Sequence, residues 1–342
     1  MKIPFDFSIS FVFRLVFPGI VLSVALLPAI QTILAAVWHP VAWTTVLPVN
    51  AVVFGWVIVL CDQQIYTIYE GRRYWPNVFR TLGLHCENYR LRKLLANVTP
   101  EARGIHYDRY IESMAQLVNF PLGDDGNRKV IYPTRLGNLL ASSESLPSRY
   151  YGADAMFYWY RLWVMLDKDL RTDIDNAQAL SDSAIYVSFT FAISAVVYFI
   201  YALVEGTTGN GDPFLNIVYI QSPLVAILLG MGSAMLSYLI YRAGLPSQVQ
   251  FGELFNSVFD QYRDKLSFVD GVAQLAMRLG NEATPVAGDQ REKYRVASRL
   301  LRFNLIWPSG QERTYTPEEW EDRQAHLNSS MNGNSDYDGT SG

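Results

Sequence analysis

The chain has 342 residues, half of them hydrophobic, with 28 Lys and Arg against 32 Asp and Glu and a net charge of -4. That balance excludes a basic nucleic-acid-binding protein, and a mean hydropathy just above zero indicates membrane-spanning sequence joined to a substantial water-facing body. The two cysteines, Cys61 and Cys86, belong to no CxxC or mixed Cys/His pattern, so neither a disulfide framework nor a cofactor is implied.

In chain order, Met1 to Phe13 alternates apolar and polar residues and reaches Arg14, which predicts a short interfacial segment. Four apolar runs follow at Leu15–Val37, Val41–Cys61, Ala184–Val204 and Ile217–Tyr241, without Asp, Glu, Lys or Arg in their interiors. Each is near the roughly 20 residues that cross about 30 Å of hydrocarbon. The first is too long for a signal-peptide core and is read as a retained anchor. All 28 basic residues lie in segments that can occupy one side, since the turn at Trp38, His39 and Pro40 and the loop Glu205 to Asn216 contain none. The positive-inside rule then orients the chain as a multi-pass protein of the cytoplasmic (inner) membrane with N- and C-termini cytoplasmic.

Between and after the runs the sequence reads as helices. The second run continues to Tyr69 or Glu70 and stops at Gly71; Asn77 to Ala96 forms a helix. Another runs from Pro100 to about Val118 with Thr99 as its cap. Phe120 to Pro133 is a loop containing a strand-like Val130-Ile131-Tyr132, and Thr134 to Ser143 a helix leading to a Ser-rich connector that ends at Pro147. Apolar residues at steps of three and four from Phe251 to Leu266 predict an amphipathic helix, as does Arg291 to Arg302. Thr316-Pro317-Glu318-Glu319 is a capping box opening a last short helix.

The predicted fold is all-α: four transmembrane helices as two hairpins with an interleaved helical cytoplasmic layer. Its segments are 1–61, interfacial segment and first hairpin; 62–183, cytoplasmic insert; 184–241, second hairpin; 242–327, C-terminal helices; and 328–342, a disordered tail of Asn, Ser, Gly and Asp.

Catalytic patterns are sparse. There is no phosphate-binding P-loop, dinucleotide fingerprint, GxSxG or HExxH, and His85-Cys86-Glu87 are consecutive, so on a helix they diverge. Asp167, Asp169, Asp173, Asp175 and Asp182 lack the calcium-loop spacing and read as a solvated helical face with Asp167/Arg171 and Arg171/Asp175 pairs. No metal or catalytic residue is assigned.

Two sets of residues remain as candidates. The aromatic stretch Tyr150 to Leu166 fits the core of the cytoplasmic layer first, an in-plane interfacial helix second and a ligand pocket third. A lipid or ligand contact there, with the basic residues after the second run, would use Arg72, Arg73, Arg149, Asp154, Arg161 and Trp163. Arg72, Arg73, Arg90, Arg92 and Lys93 suit anionic head groups on the cytoplasmic side, or a plain solvated face. Within the runs, Gln31, Asn50 and Gln221 are the strongest polar groups. Gly230, Ser233, Ala234 and Ser237 supply small residues four apart, suited equally to packing within the chain and between copies.

Ser237-Tyr238-Leu239-Ile240-Tyr241-Arg242-Ala243-Gly244, Gly252-Glu253-Leu254 and Phe259-Asp260-Gln261-Tyr262-Arg263-Asp264-Lys265-Leu266 together resemble a pattern in uncharacterised prokaryotic four-span membrane proteins. The resemblance covers about thirty residues and implies no activity. The expected function is a non-enzymatic, homo-oligomeric module whose cytoplasmic layer binds a partner protein or ligand and signals to the spans. The alternatives are an oligomeric channel gated from the cytoplasmic side, lined by the second set, and a lipid-modifying enzyme using Arg149, Asp154 and Arg161.

Overall fold

The computed structural model describes residues 12–37, 43–99, 103, 106–123, 126–208, 222–266, 268–272 and 290–303, with backbone alone at 28, 31–37, 43, 45, 205–208, 299–300 and 302–303. The segment before Val12, the outer turn, most of the 205–216 loop, the capping box and the tail lie outside these residues. The chain divides into two compact units, Met1–Leu266 and Ser267–Gly342.

All regular elements among the described residues are helical; the predicted strand-like 130–132 pairs with nothing, and a single bridge joins Leu122 to Arg128. A π-helical turn, Val12–Val16, leads into α1 (Phe17–Val37), and α2 (Trp43–Leu60) returns against it. Two glycines bring these backbones together. A Cβ on Gly19 would collide with the Ala51 carbonyl, and one on Gly55 with that of Leu15 in the π-helical turn.

The second run does continue as helix, α3 (Asp62–Glu70), and stops at Gly71, whose φ of 76° is the left-handed conformation that favours glycine. Between α2 and α3, however, the axis bends by 61° at Cys61. Next come α4 (Asn77–Ala96), with the predicted bounds, and α5 (Tyr107–Leu117). The expected start of α5 at Pro100 lies outside the described residues; the helix opens after His106.

The expected break at Pro147 is absent. Helix α6 (Arg135–Tyr151) is capped by Thr134, which accepts from the Gly137 amide at 3.0 Å, and runs through Pro147 to Gly152, left-handed at φ 70°. That glycine divides the aromatic stretch, so α7 (Ala155–Met165) is separate, with Asp154 as its N-cap.

Two long helices complete the first unit. The 41-residue α8 (Lys168–Thr208) fuses the acidic lead-in to the third apolar run. The 40-residue α9 (Pro223–Tyr262) fuses the fourth run to the amphipathic segment that follows, with Pro246 inside it. Pro223 occupies the first helical turn behind the Ser222 cap, where its missing N–H costs nothing. Both helices are long and apolar enough to cross a membrane; α2 and α3 make a third such span if the bent pair is one crossing. In the second unit α10 (Gln290–Phe303) is present as predicted, and Lys293 pairs with Asp270 at 2.9 Å.

The first unit's main core draws on most of these helices. Leu22, Ile58, Ile65, Leu136, Ile185, Tyr186 and Leu245 form one buried cluster spanning α1, α2, α3, α6, α8 and α9. At the far end of α9, Phe255 lies 4.5 Å from the Trp159 ring of α7, Asp260 accepts from the Tyr151 hydroxyl at 2.5 Å, and Gly252 presses on Ser143. The end of α9 is thereby docked onto the 62–183 segment.

Candidate functional site

The densest polar cluster lies just where the apolar runs give way to charged sequence. Asp182 stands two residues before the third run, Asp62 one residue after the second, and Arg14 one residue before the first. Helix packing draws these ends together. Arg14 meets Asp182 at 2.7 Å, and the Tyr66 hydroxyl donates to the other Asp182 oxygen at 2.5 Å. Gln248, 1% exposed, donates its amide to the Tyr66 oxygen at 3.0 Å and to the Ser181 carbonyl at 3.1 Å. Tyr186 donates to Asp62 at 2.7 Å.

Four chain segments are thus tied by an ion pair and hydrogen bonds among largely buried groups: the turn before α1, then α3, α8 and α9. Asp182 is 7% exposed. The solvated-face reading of the aspartates is therefore corrected at this position. A buried carboxylate survives only with partners, and Asp182 has Arg14 and Tyr66. Asp167, Asp169, Asp173 and Asp175 are exposed as expected. No group of three or more His, Cys, Asp or Glu among the described residues is placed to hold a metal ion.

A second polar layer joins α3, α8 and α9. The Tyr69 and Ser188 hydroxyls are 2.8 Å apart, Ser188 donates to the Ser237 carbonyl at 2.9 Å, and Ser237 returns the bond to the Ser188 carbonyl at 2.8 Å. Ring contacts of Tyr69 with Tyr241 and Phe189, at 5.7 and 6.5 Å, close this layer.

The sequence candidates fall in several places. Arg72 pairs with Glu70 and, at 3.2 Å, with Glu144, and lies 5.0 Å above the Tyr132 ring. Arg73 is exposed beside it. Arg149 donates to the Gly123 carbonyl. Asp154 accepts from the Phe157 amide at 3.0 Å; Arg161 donates to the Phe157 carbonyl at 2.7 Å and stacks 3.7 Å over that residue's ring. Trp163 lies 5.7 Å from Trp159. Asp154 and Arg161 serve the start and the surface of α7, and Arg72 is held at the end of α3, so these six residues do not converge on one pocket. Tyr158 and Leu162 are fully buried, in keeping with a core role for one face of the aromatic stretch.

In the second set, Gly230 faces Phe199, to which a Cβ would come within 3.0 Å, Ser233 is buried, and Ser237 bonds to Ser188. These three therefore serve the contact between α9 and α8. Ala234 is exposed. The Asn50 side-chain amide nitrogen is buried without a hydrogen-bond partner among the described residues. Gln31's side chain and all of Gln221 lie outside them. No protein-family model, curated protein or solved structure matches the chain.

Proposed function

We propose that this chain is a four-span, multi-pass protein of the cytoplasmic membrane with both termini inside, in which a helical layer binds a partner protein or ligand and transmits that event to the spans. The observation that carries the reading is continuity: α8 and α9 leave their apolar runs without a break, and the end of α9 is docked on Ser143, Tyr151 and Trp159. From Arg242 to Tyr262 at about 1.5 Å per residue, helix α9 reaches roughly 30 Å beyond its apolar run. A stiff helix moved at one end must move at the other, and the Asp182 cluster is where the remaining segments would feel it. The four spans, the inner membrane and the self-association of copies belong to this reading, supported by the four apolar runs and the distribution of basic residues.

The experiment uses full-length protein in nanodiscs with Cys61 and Cys86 replaced and spin labels at Val196→Cys and Met235→Cys, both on exposed faces of the long helices. Gly252→Leu forces a side chain into Ser143 and undocks the end of α9, which protease accessibility of 251–262 reports. The expected result is a changed distance distribution between the labels. Undocking with an unchanged distribution overturns the coupling. Crosslinking in native membranes tests the binding half: either a second copy or a distinct partner is captured, and capture of neither overturns it.

A further inference from the structure

Helices α4, α6 and α9 meet around a group of arginines that neither polar layer uses. A Cβ on Gly83 of α4 would lie 2.5 Å from the Pro133 carbonyl oxygen, so α4 rests on the residue just ahead of α6. The Leu136 amide donates to the Tyr241 hydroxyl at 3.3 Å, so the first turn of α6 abuts α9 where its apolar run ends. Arg135 and Arg242 are the neighbours of these two contact residues. Glu87 and Arg90, one and two turns beyond Gly83, complete the group.

The charges do not balance. Glu87 pairs with Arg90 at 3.4 Å, and Arg90 also reaches Gln116 and covers the Phe120 ring at 5.3 Å. Among the described residues neither Arg135 nor Arg242 has a hydrogen bond or ion pair, and each repels the other and Arg90. Burial and then repulsion from Arg135 and Arg242 push the Arg90 guanidinium down to about 10, only partly offset by Glu87. Burial and then Arg242 lower Arg135 likewise. Three guanidiniums thus act on one carboxylate, Arg90 and Arg135 half-buried and Arg242 exposed, and leave a net positive charge.

Its surroundings name the anion. Arg242 is the first charged residue after the fourth apolar run. Tyr238 and Leu239, just inside it, are exposed at 60% and 47%. On α4 the side chains Val78, Phe79, Leu82 and Tyr89 are exposed as well. Guanidiniums bind phosphate oxygens through paired N–H groups, and the apolar flank suits acyl chains. We propose that Arg135 and Arg242, with Arg90 behind them, bind the head-group phosphate of an anionic phospholipid at the inner leaflet. This rests on the reading that the end of the fourth run lies at the membrane surface, and it does not depend on the coupling of α9 to the layer.

The test is native mass spectrometry of the full chain in detergent, titrated with dioleoyl phosphatidylglycerol, with dioleoyl phosphatidylcholine and inorganic phosphate as separate probes. Wild type is expected to retain phosphatidylglycerol over phosphatidylcholine. Arg135→Gln and Arg242→Gln each lower that retention about fivefold, from roughly 1 kcal/mol per basic residue. Glu87→Gln raises it by a similar factor, and Arg109→Gln, an exposed residue of α5, leaves it unchanged. Because Glu87→Gln predicts a gain, misfolding cannot imitate the full pattern. Equal retention in wild type and both arginine variants overturns the proposal. So does displacement of the lipid by millimolar phosphate, which assigns the site to a soluble anion. The spin-label distances report the coupling separately, so either idea can fail alone.

Discussion

The α1/α2 and α8/α9 pairs are built from equally apolar runs but are joined in different ways. In the first pair, glycines bring backbone against backbone: Gly19 at Ala51, Gly55 at Leu15. The pair then ends, because α2 stops at Leu60 and the chain turns by 61°. In the second pair, Ser188 and Ser237 exchange hydrogen bonds, Gly230 receives Phe199, and Gly244 lies where a Cβ would meet Ala184 at 2.5 Å. Both its helices extend past their apolar runs, α8 over the charged residues 168–183 ahead of its run and α9 over the amphipathic residues 242–262 after it. Close backbone packing suits an anchor, whereas continuous helices suit a lever. The Arg14–Asp182–Tyr66–Gln248 cluster joins one to the other.

The largest expected effect comes from that joint. Asp182→Ala leaves the Arg14 guanidinium and the Tyr66 hydroxyl facing a void, and removing one member of a buried ion pair costs about 3–5 kcal/mol. Thermal unfolding in nanodiscs, followed by retention of the monodisperse peak, checks it. A loss below about 1 kcal/mol would mean that the two pairs are held together by apolar packing alone. Next is Gly55→Leu. The nearest atoms are the backbone carbonyl of Leu15, with the branch carbon of its side chain next, so backbone must move and the cost exceeds the 1–3 kcal/mol usual for overpacking. The same change at Gly232, which has nothing within 4 Å of its would-be Cβ, leaves stability near wild type. If both variants behave alike, glycine contact is not what distinguishes the first pair.

Much of this organisation is legible from local sequence. Apolar runs mark the long helices, Gly71 marks the end of α3, and α4 shows both its bounds. The small residues at 230, 233 and 237 are also visible as a face, although only the structure assigns that face to α8. What escapes is whatever depends on distant partners. Asp182 reads as one more aspartate in a solvated series, because the residues that bury it, Arg14, Tyr66 and Gln248, are far away in the chain. Arg135 and Arg242 lie 107 positions apart, and the packing of α6 on α9, with the Leu136 to Tyr241 contact beside them, brings them together. Pro147 reads as a break, yet a helix already held by the Thr134 cap and by Ser143 against Gly252 continues through it. A glycine signals a turn or a close approach with equal force in sequence; Gly152 takes the first role and Gly55 the second.

Glu87 supplies a pH-dependent test of the charge imbalance. Burial raises its carboxyl above the ordinary range, more than Arg90, Arg135 and Arg242 together lower it. A carboxylate with a raised folded-state value binds protons more tightly when folded. Its stabilising share is complete below the ordinary carboxylate range and is lost as pH rises through the raised value. Wild type is therefore expected to gain stability over Glu87→Gln as the pH falls from 7 toward 4, in paired thermal unfolding series. A gap that widens as the pH rises would mean that the three arginines outweigh burial, and that the group is already balanced without a bound anion.

The smallest expected effect concerns the serine exchange in the second pair. Interhelical hydrogen bonds in membranes average about 0.6 kcal/mol, because an unfolded helix in lipid also finds partners. Ser237→Ala should cost about that much, and Ser188→Ala somewhat more, since Ser188 also meets Tyr69. The informative quantity is their coupling in a double-mutant cycle measured by reversible unfolding in bicelles. If the double variant loses less than the sum of the single losses, the two hydroxyls act as a unit and hydrogen bonding distinguishes the second pair from the backbone contacts of the first. Strict additivity would place both pairs in the same class. The difference in how far their helices extend would then rest on the bend at Cys61 alone.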